Sequence, residues 1–343
     1  MKLVCFGLPL APLLLMEDGH EVLLAVLSPG RHVGGRRLRR RLGSGSIWPA
    51  NVDAGWVERR LAEAELLVSW FWTRRLPGSW LGLPRRGALG VHPSLLPRHR
   101  GPDPYFWAID SGDTVTGVSA HWLTEKYDAG DVLAKEQLAI GGWDSWQLAR
   151  ALDRPSLRVL RAAVRQIETG CARPEPQDER QATWAPSPEE AQLRVDWHWP
   201  TDRVLRRIRA LAPVPGLALE FRGVRFRVVR ARPAKQYPRV LLPGEGAVVQ
   251  AVPPGEPRRA APECVGNNRI FPPRGRPPGG TGTEHTGNDP LTLVLRTGDG
   301  AIAVERAMVT PESGESRETA VGEGELAGLA SRPVVLDSLD GGP

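Results

Sequence analysis

Four short apolar runs stand within the first 92 residues, and each is apolar almost throughout: Lys2–Phe6 (KLVCF), Glu21–Leu27 (EVLLAVL), Leu66–Trp70 (LLVSW) and Gly87–His92 (GALGVH). A strand with one wet face alternates polar and apolar residues; a continuous run is a strand covered on both faces. Between the runs, Leu10–Met16 and Val57–Leu66 carry helical spacing. Buried strands alternating with helices predict an α/β, doubly wound and mostly parallel sheet. Such sheets gather chemistry at the carboxyl ends of their strands, and His92 stands at one. Lys2 and the apolar residues to Met16 also read as a short signal peptide, but no small-x-small cleavage site precedes Glu17. Strand, helix and strand is the better account. No run approaches the ~18 apolar residues of a membrane span.

Further on, Val115–Leu123 and Val132–Ile140 read as strands joined by the turn KYDAGD. Trp146–Ile167 has helical spacing, with a break expected at Pro155 because proline has no N–H to give. Arg173–Pro188 is polar and Pro-rich and reads as an irregular linker. The character then changes. A basic helix, Asp202–Leu211, precedes a hairpin over Leu219–Ala231 turning at Arg222-Gly223. Short strands follow at Gly246–Val252, Leu291–Leu295 and Ile302–Val309, as in a small β-barrel of the OB type. The expected division is residues 1–192 as the α/β domain, 193–312 as the barrel and 313–343 as a flexible tail. Residues 253–290, loaded with Pro, Gly and Arg, read as a disordered insertion in the barrel.

Charge and cysteine content narrow the classes further. Lys and Arg exceed Asp and Glu by 45 to 39, a mild basic excess that permits a nucleic-acid partner without requiring one. Cys5, Cys171 and Cys264 are scattered and odd in number, so neither a disulfide framework nor a metal site is expected, and a reducing cytoplasm fits.

The stretch with most chemistry is GVHPSLLPRHRG, residues 90–101. Pro93 keeps His92 out of helical geometry, so the ring is presented at the strand end. Ser94, Leu95, Leu96 and Pro97 read as a short apolar wall whose backbone groups are free for a planar ligand. Asp128 follows 36 residues after His92 (128 − 92), in a DAGD turn that Gly130 lets bend close to a neighbour. A carboxylate beside a strand-end histidine orients the ring and favours its protonated form, which suits general acid–base work. His99, between two arginines, reads as a surface residue. His121 alternates outward on its strand, as a structural or substrate-facing residue. Phe106 and Trp107 read as core.

These motifs resemble the folate-dependent formyltransferase family, which includes the methionyl-tRNA formyltransferases. His92–Gly101 is similar to the family's HPSLLP-x-x-RG, Thr116-Gly117-Val118 to its TGV strand, and Asp128–Asp131 to its D-x-G-D turn. Pro176-Gln177-Asp178, ATWAP at 182–186, Val195-Asp196-Trp197, IRALAPVPG at 208–216 and Thr297–Gly300 resemble later family signatures. The resemblance implies a doubly wound domain with no Gly-rich dinucleotide loop, and the first strand here indeed runs into FGLPLAP. It implies 10-formyltetrahydrofolate as co-substrate, held by Ser94 to Pro97, with His92 and Asp128 as catalytic residues. The acceptor it implies is the amine of initiator methionyl-tRNA. The protein is expected to act as a cytoplasmic monomer, away from membranes. A basic loop at the place of Arg36, Arg37, Arg39, Arg40 and Arg41 contacts tRNA in the family.

The family's third catalytic residue, an asparagine whose amide steadies the developing oxyanion, is replaced by Gly90. No asparagine lies between Val52 and Gly266, which leaves Gln137, Gln147, a water or His121 as substitutes. Two alternatives follow. Trp107 with its surroundings, and His121, depart from the tRNA-enzyme pattern and would suit another amine, such as a sugar nucleotide. Loss of the asparagine would suit a paralogue that only binds folate or RNA.

Overall fold

The computed structural model describes residues 1–43, 46–47, 53–221, 224–250, 291–309, 317–319 and 334–335. The expected insertion at 253–290, the turn at Arg222-Gly223 and Cys264 lie outside the described residues. So does the stretch from 313 on, except Arg317–Thr319 and Val334–Val335.

The first sheet is assembled from β1 (Lys2–Gly7), β2 (Glu21–Leu27), β3 (Ser46–Ile47), β4 (Leu66–Trp70), β5 (Ala88–His92), β6 (Val115–Trp122) and β7 (Val132–Ala139). Its order is β3-β2-β1-β4-β5-β6-β7. The pairs from β3 across to β5 are parallel, while β6 runs antiparallel to both its neighbours. The apolar runs do what two-sided coverage requires: Leu3, Leu24, Leu66, Leu67 and Leu89 have no exposed surface at all. Burying such a side chain contributes roughly 1.5–3 kcal/mol.

Three helices start where polar side chains cap them. Asp53 accepts the Trp56 N–H at the head of α3 (Ala54–Glu63), and Asp103 accepts the Phe106 N–H before α5 (Pro104–Asp110). Asp144 and Gln147 form a capping box on α6 (Ser145–Glu168). The remaining helices are α1 (Leu10–Glu17), α2 (Gly35–Leu42), α4 (Gly78–Leu81) and α7 (Thr201–Leu211).

Two expectations about helices need correction. α6 runs through Pro155 without a break. One backbone hydrogen bond is lost there, but Leu148, Leu152, Val159, Leu160 and Val164 bury one continuous face on either side of the proline, and that burial outweighs it. The arginines at the place of the family's basic loop instead lie on a helix, α2, where Leu38 is fully buried.

The second sheet is antiparallel and barrel-like: β8 (Leu217–Phe221), β9 (Val224–Pro233), β10 (Glu245–Gln250), β11 (Leu291–Arg296) and β12 (Ala301–Val309), in the order β10-β11-β12-β9-β8. Arg317–Thr319 (β13) pairs with β12, and Val334–Val335 (β14) with β10. α7 joins the two sheets. It packs on α5 of the first region and on β9 of the second, and Arg207 ties it to Asp110 at 2.5 Å. Among the described residues no helix is long and apolar enough to cross a membrane.

Candidate active site

His92 ends β5, and its ring is buried. Its Nε2 lies 2.7 Å from the His99 carbonyl oxygen. A carbonyl only accepts, so this nitrogen carries hydrogen and is committed. Nδ1 therefore faces the reaction space, 3.4 Å from Asp128 Oδ2. The fold thus brings together the two side chains that the sequence singles out.

Asp128 is itself held by Gly101 and Gln177. It has a positive φ of 51°, and its Oδ2 accepts the Gly101 N–H at 2.8 Å. The Gln177 amide donates to both the Asp128 and the Gly130 carbonyls, each at 2.7 Å. Gly130 is required as expected: a Cβ there would stand 2.0 Å from the Trp122 carbonyl oxygen.

Residues 175–186 therefore correct the linker reading. Rather than spacing two domains, this segment returns to the site. Val132 and Glu175 exchange backbone hydrogen bonds, as do Arg100 with Thr183 and Ala185. The Arg100 guanidinium grips Gln177 Oε1 and the Glu179 carboxylate. Pattern reading missed Gln177, Thr183 and Arg100 as site residues, because irregular backbone has no period. The PQD and ATWAP motifs were the signal for them.

His99 also departs from expectation. It is buried, not a surface residue. Its backbone N–H donates to Thr183 Oγ1, and its Nε2 lies 2.8 Å from Asp113 Oδ2. Burial lowers its pKa, against the pull of Asp113. Burial alone would raise Asp113, yet hydrogen bonds from Arg98 and His99 hold that carboxyl below the usual range. The two flanking arginines misled because Arg98 is spent on Asp113 and Arg100 on the returning segment.

The wall at Ser94 to Pro97 is present, but its backbone is not free. Ser94 O accepts from Ser119 Oγ, Leu96 N–H donates to Ser119 Oγ, and Leu96 O accepts from Lys135 Nζ at 2.8 Å. Leu95 O and Pro97 O accept the Arg98 and Thr183 N–H groups. The segment is thereby rigid, and what it leaves half-exposed are the Leu95 and Pro97 side chains.

Gly90 pairs with His121 across β5 and β6. Of the proposed substitutes for the missing asparagine, Gln147 is used in the α6 capping box, and Gln137 lies opposite Gly117 farther along β6. His121 alone is at the site. It is 1% exposed, and its Nε2 is 3.6 Å from Asp128 Oδ1. Burial drives its pKa down to about 4, although Asp128 pulls the other way. Arg36, Arg37, Arg39, Arg40 and Arg41 are exposed on α2, which packs on α1 and β2, three strands from β5. Phe106 is core, and Trp107 is half-buried with its indole N–H on Pro186 O at 2.7 Å.

Known proteins sharpen this picture. A formyl transferase family profile matches residues 55–154, and a formyl transferase C-terminal domain profile matches 189–254. The methionyl-tRNA formyltransferase of Deinococcus radiodurans is 34% identical over 286 residues, covering 76% of this chain and 88% of that protein. That of Heliobacterium modesticaldum is 33% identical, covering 68% and 78%. Among solved structures, HypX from Aquifex aeolicus in complex with tetrahydrofolic acid shares the fold at a TM-score of 0.58 and 20% identity, over 92% of this chain and 46% of HypX. An N-formyltransferase from Helicobacter canadensis, in complex with folinic acid and dTDP-3-aminofucose, does so at 0.57 and 11%, over 89% and 98%.

Proposed function

Since the chain belongs to the formyl transferase family and is a formyltransferase, we propose that it uses 10-formyltetrahydrofolate and that its acceptor is the amino group of initiator methionyl-tRNA. One observation carries the reading: His92 and Asp128, far apart in sequence, meet at a strand end beside the rigid Ser94–Pro97 edge. The half-exposed Leu95 and Pro97 side chains fit the flat face of a folate, with the backbone beneath them already hydrogen-bonded. The folate supplies an activated formyl group.

The chain supplies the rest. The new bond joins the amine nitrogen to the formyl carbon, and the bond from that carbon to the folate nitrogen breaks. The amine must shed a proton, and the departing nitrogen must gain one. His92, with Nε2–H fixed on His99 O, holds a proton at Nδ1 toward the charge that develops on the formyl oxygen. Asp128 takes the proton from the amine and passes it to the departing folate nitrogen, so that no net proton is gained or lost. Residues 1–192 form the catalytic unit in this reading, and 193–312 the barrel beside it. The exposed arginines of α2 would meet tRNA phosphates. The 33–34% identity to the methionyl-tRNA formyltransferases favours this acceptor over a sugar nucleotide.

The test is formylation of charged initiator tRNA by the purified protein with the folate donor. Removing the pair's chemistry by His92→Ala or Asp128→Asn should lower kcat/KM by about 10³-fold. Replacing Arg36, Arg40 and Arg41 by Ala should raise KM for tRNA and flatten its salt dependence by roughly one unit of slope for each phosphate no longer held. Wild-type rates in the His92 variant would defeat the mechanism. Formylation of a sugar nucleotide amine but not of the tRNA would replace the acceptor.

A further inference from the structure

The place beside Gly90 is filled. A Cβ built on Gly90 would lie 2.5 Å from Leu123 Cδ2 and 3.3 Å from His121 Nε2. A side chain there would have to turn the Leu123 methyl aside and press on His121, so the imidazole tip of His121 stands against the position from which the family's asparagine would extend.

It does not bring the same chemistry. His121 Nδ1 lies 3.0 Å from the Trp122 carbonyl oxygen. That oxygen only accepts, so the ring hydrogen sits on Nδ1. Burial keeps the ring neutral near pH 7, because its pKa lies at about 4. Nε2 is then a bare lone pair. It faces Asp128 Oδ1 at 3.6 Å, outside hydrogen-bond range. Two acceptors turned toward each other across that gap repel unless a hydrogen donor stands between or beside them. An amine that must be aimed at a formyl carbon is such a donor, with two N–H bonds to give.

Building on the formyl-transfer reading above, we infer that His121 takes the place vacated by the asparagine and, with Asp128, forms a pair of acceptors that grips the N–H groups of the incoming amine. His121 accepts at Nε2 and does not take the amine's proton. Asp128 Oδ1 receives the proton that the amine loses as its nitrogen bonds to the formyl carbon. His92 is left to serve the formyl oxygen. The site therefore differs from its family by strengthening the hold on the nucleophile, not by swapping one oxyanion donor for another.

Three measurements test this. With the folate donor and methionyl-tRNA, His121→Leu should lose about 100-fold in kcat/KM for the acceptor, the scale of one hydrogen bond removed from a buried reaction site. His121→Gln, which still offers an accepting oxygen, should recover at least half of that loss on a logarithmic scale. Binding of 5-formyltetrahydrofolate and the melting temperature should stay at wild-type values in the Gln variant, which a merely structural histidine would not allow. Gly90→Asn should lower activity rather than raise it, since Leu123 and His121 occupy the space. A His121→Leu variant as fast as wild type, a rise in turnover on Gly90→Asn, or a loss matched by weakened folate binding would each overturn the inference. Nitrogen NMR of histidine-labelled protein is the arm that needs no turnover: Nδ1–H at neutral pH supports the assignment, and Nε2–H refutes it. If the wild-type protein formylates no amine, the formyl-transfer reading falls, and the NMR result still decides the state of His121.

Discussion

Arg207 on α7 and Arg225 on β9 belong to the same arginine-rich part of the chain, and each pairs with a carboxylate: Asp110 at 2.5 Å and Glu220 at 2.9 Å. The Arg207 side chain is 6% exposed and that of Arg225 71%. Arg207 also donates to the Gln192 and Arg194 carbonyls and stacks on Trp199 and Phe106. Among the described residues Arg225 pairs with Glu220 alone, and its side chain is exposed. The same contrast separates Arg100, locked onto Gln177 and Glu179, from Arg230 and Arg232, which share Glu305 on the outside of the second sheet. Charge counting treats all of these as one basic surface. Burial divides them into cations that hold the architecture and cations that decorate it.

The sharpest way to break that division is Arg207→Leu. It leaves the Asp110 carboxylate buried and unpaired where α7 meets α5, a change that costs about 3–5 kcal/mol. Chemical denaturation should show the loss, and it should fall on the junction between the two sheets. Arg207→Leu with Asp110→Leu should recover much of it, because the penalty is the orphaned charge rather than the absent pair. A single variant as stable as wild type would mean that α7 is held by packing alone.

Arg207 could have been found. Val204, Ile208 and Leu211 are all buried on α7, and Arg207 falls on their face by its three- and four-residue spacings. A cation on an apolar stripe wants a buried carboxylate, but which one could not be read from a helix alone. His92 and Asp128 were legible for a different reason: HPSLLP and DAGD are contiguous, and proline and glycine punctuate them. Gln177 and Thr183 were not, because each reaches the site across more than 45 residues on irregular backbone, through bonds such as that from Gln177 to the Asp128 carbonyl. Most strands of both sheets were legible because they are short apolar or alternating runs between turn residues. The continuity of α6 was not, because at Pro155 a local backbone rule was overruled by tertiary burial.

The two regions should also part in acid. The described strands of the second sheet contain no histidine, whereas the site buries His121, with His99 close by. Burial lowers both pKa values, His121 from 6.5 to about 4. As pH falls, the unfolded chain takes up protons before the folded site does. The stability associated with neutral His121 is therefore fully present above about 6.5 and is lost as pH falls toward about 4. The groups facing that ring are Asp128, which favours its charged form, and His92 and Arg100, which oppose it. In His121→Gln the melting temperature should fall less steeply over this window. An unchanged slope would mean that the ring takes its proton in the folded state.

The smallest effect is the most diagnostic of the comparison. Arg225→Ala removes a pair with one partner in water, where screening and side-chain freedom leave roughly 0–1 kcal/mol. Arg230→Ala leaves Arg232 still beside Glu305, so it should cost even less. Both variants should unfold within that margin of wild type, and added salt should erase what difference there is. If instead they bind charged tRNA several-fold more weakly with stability intact, the second sheet's cations are a nucleic-acid surface. The division among these arginines would then lie between architecture and recognition. If binding is also unchanged, the phosphate contacts belong to α2 and the first region, and these arginines do no more than keep the sheet's outer face in water.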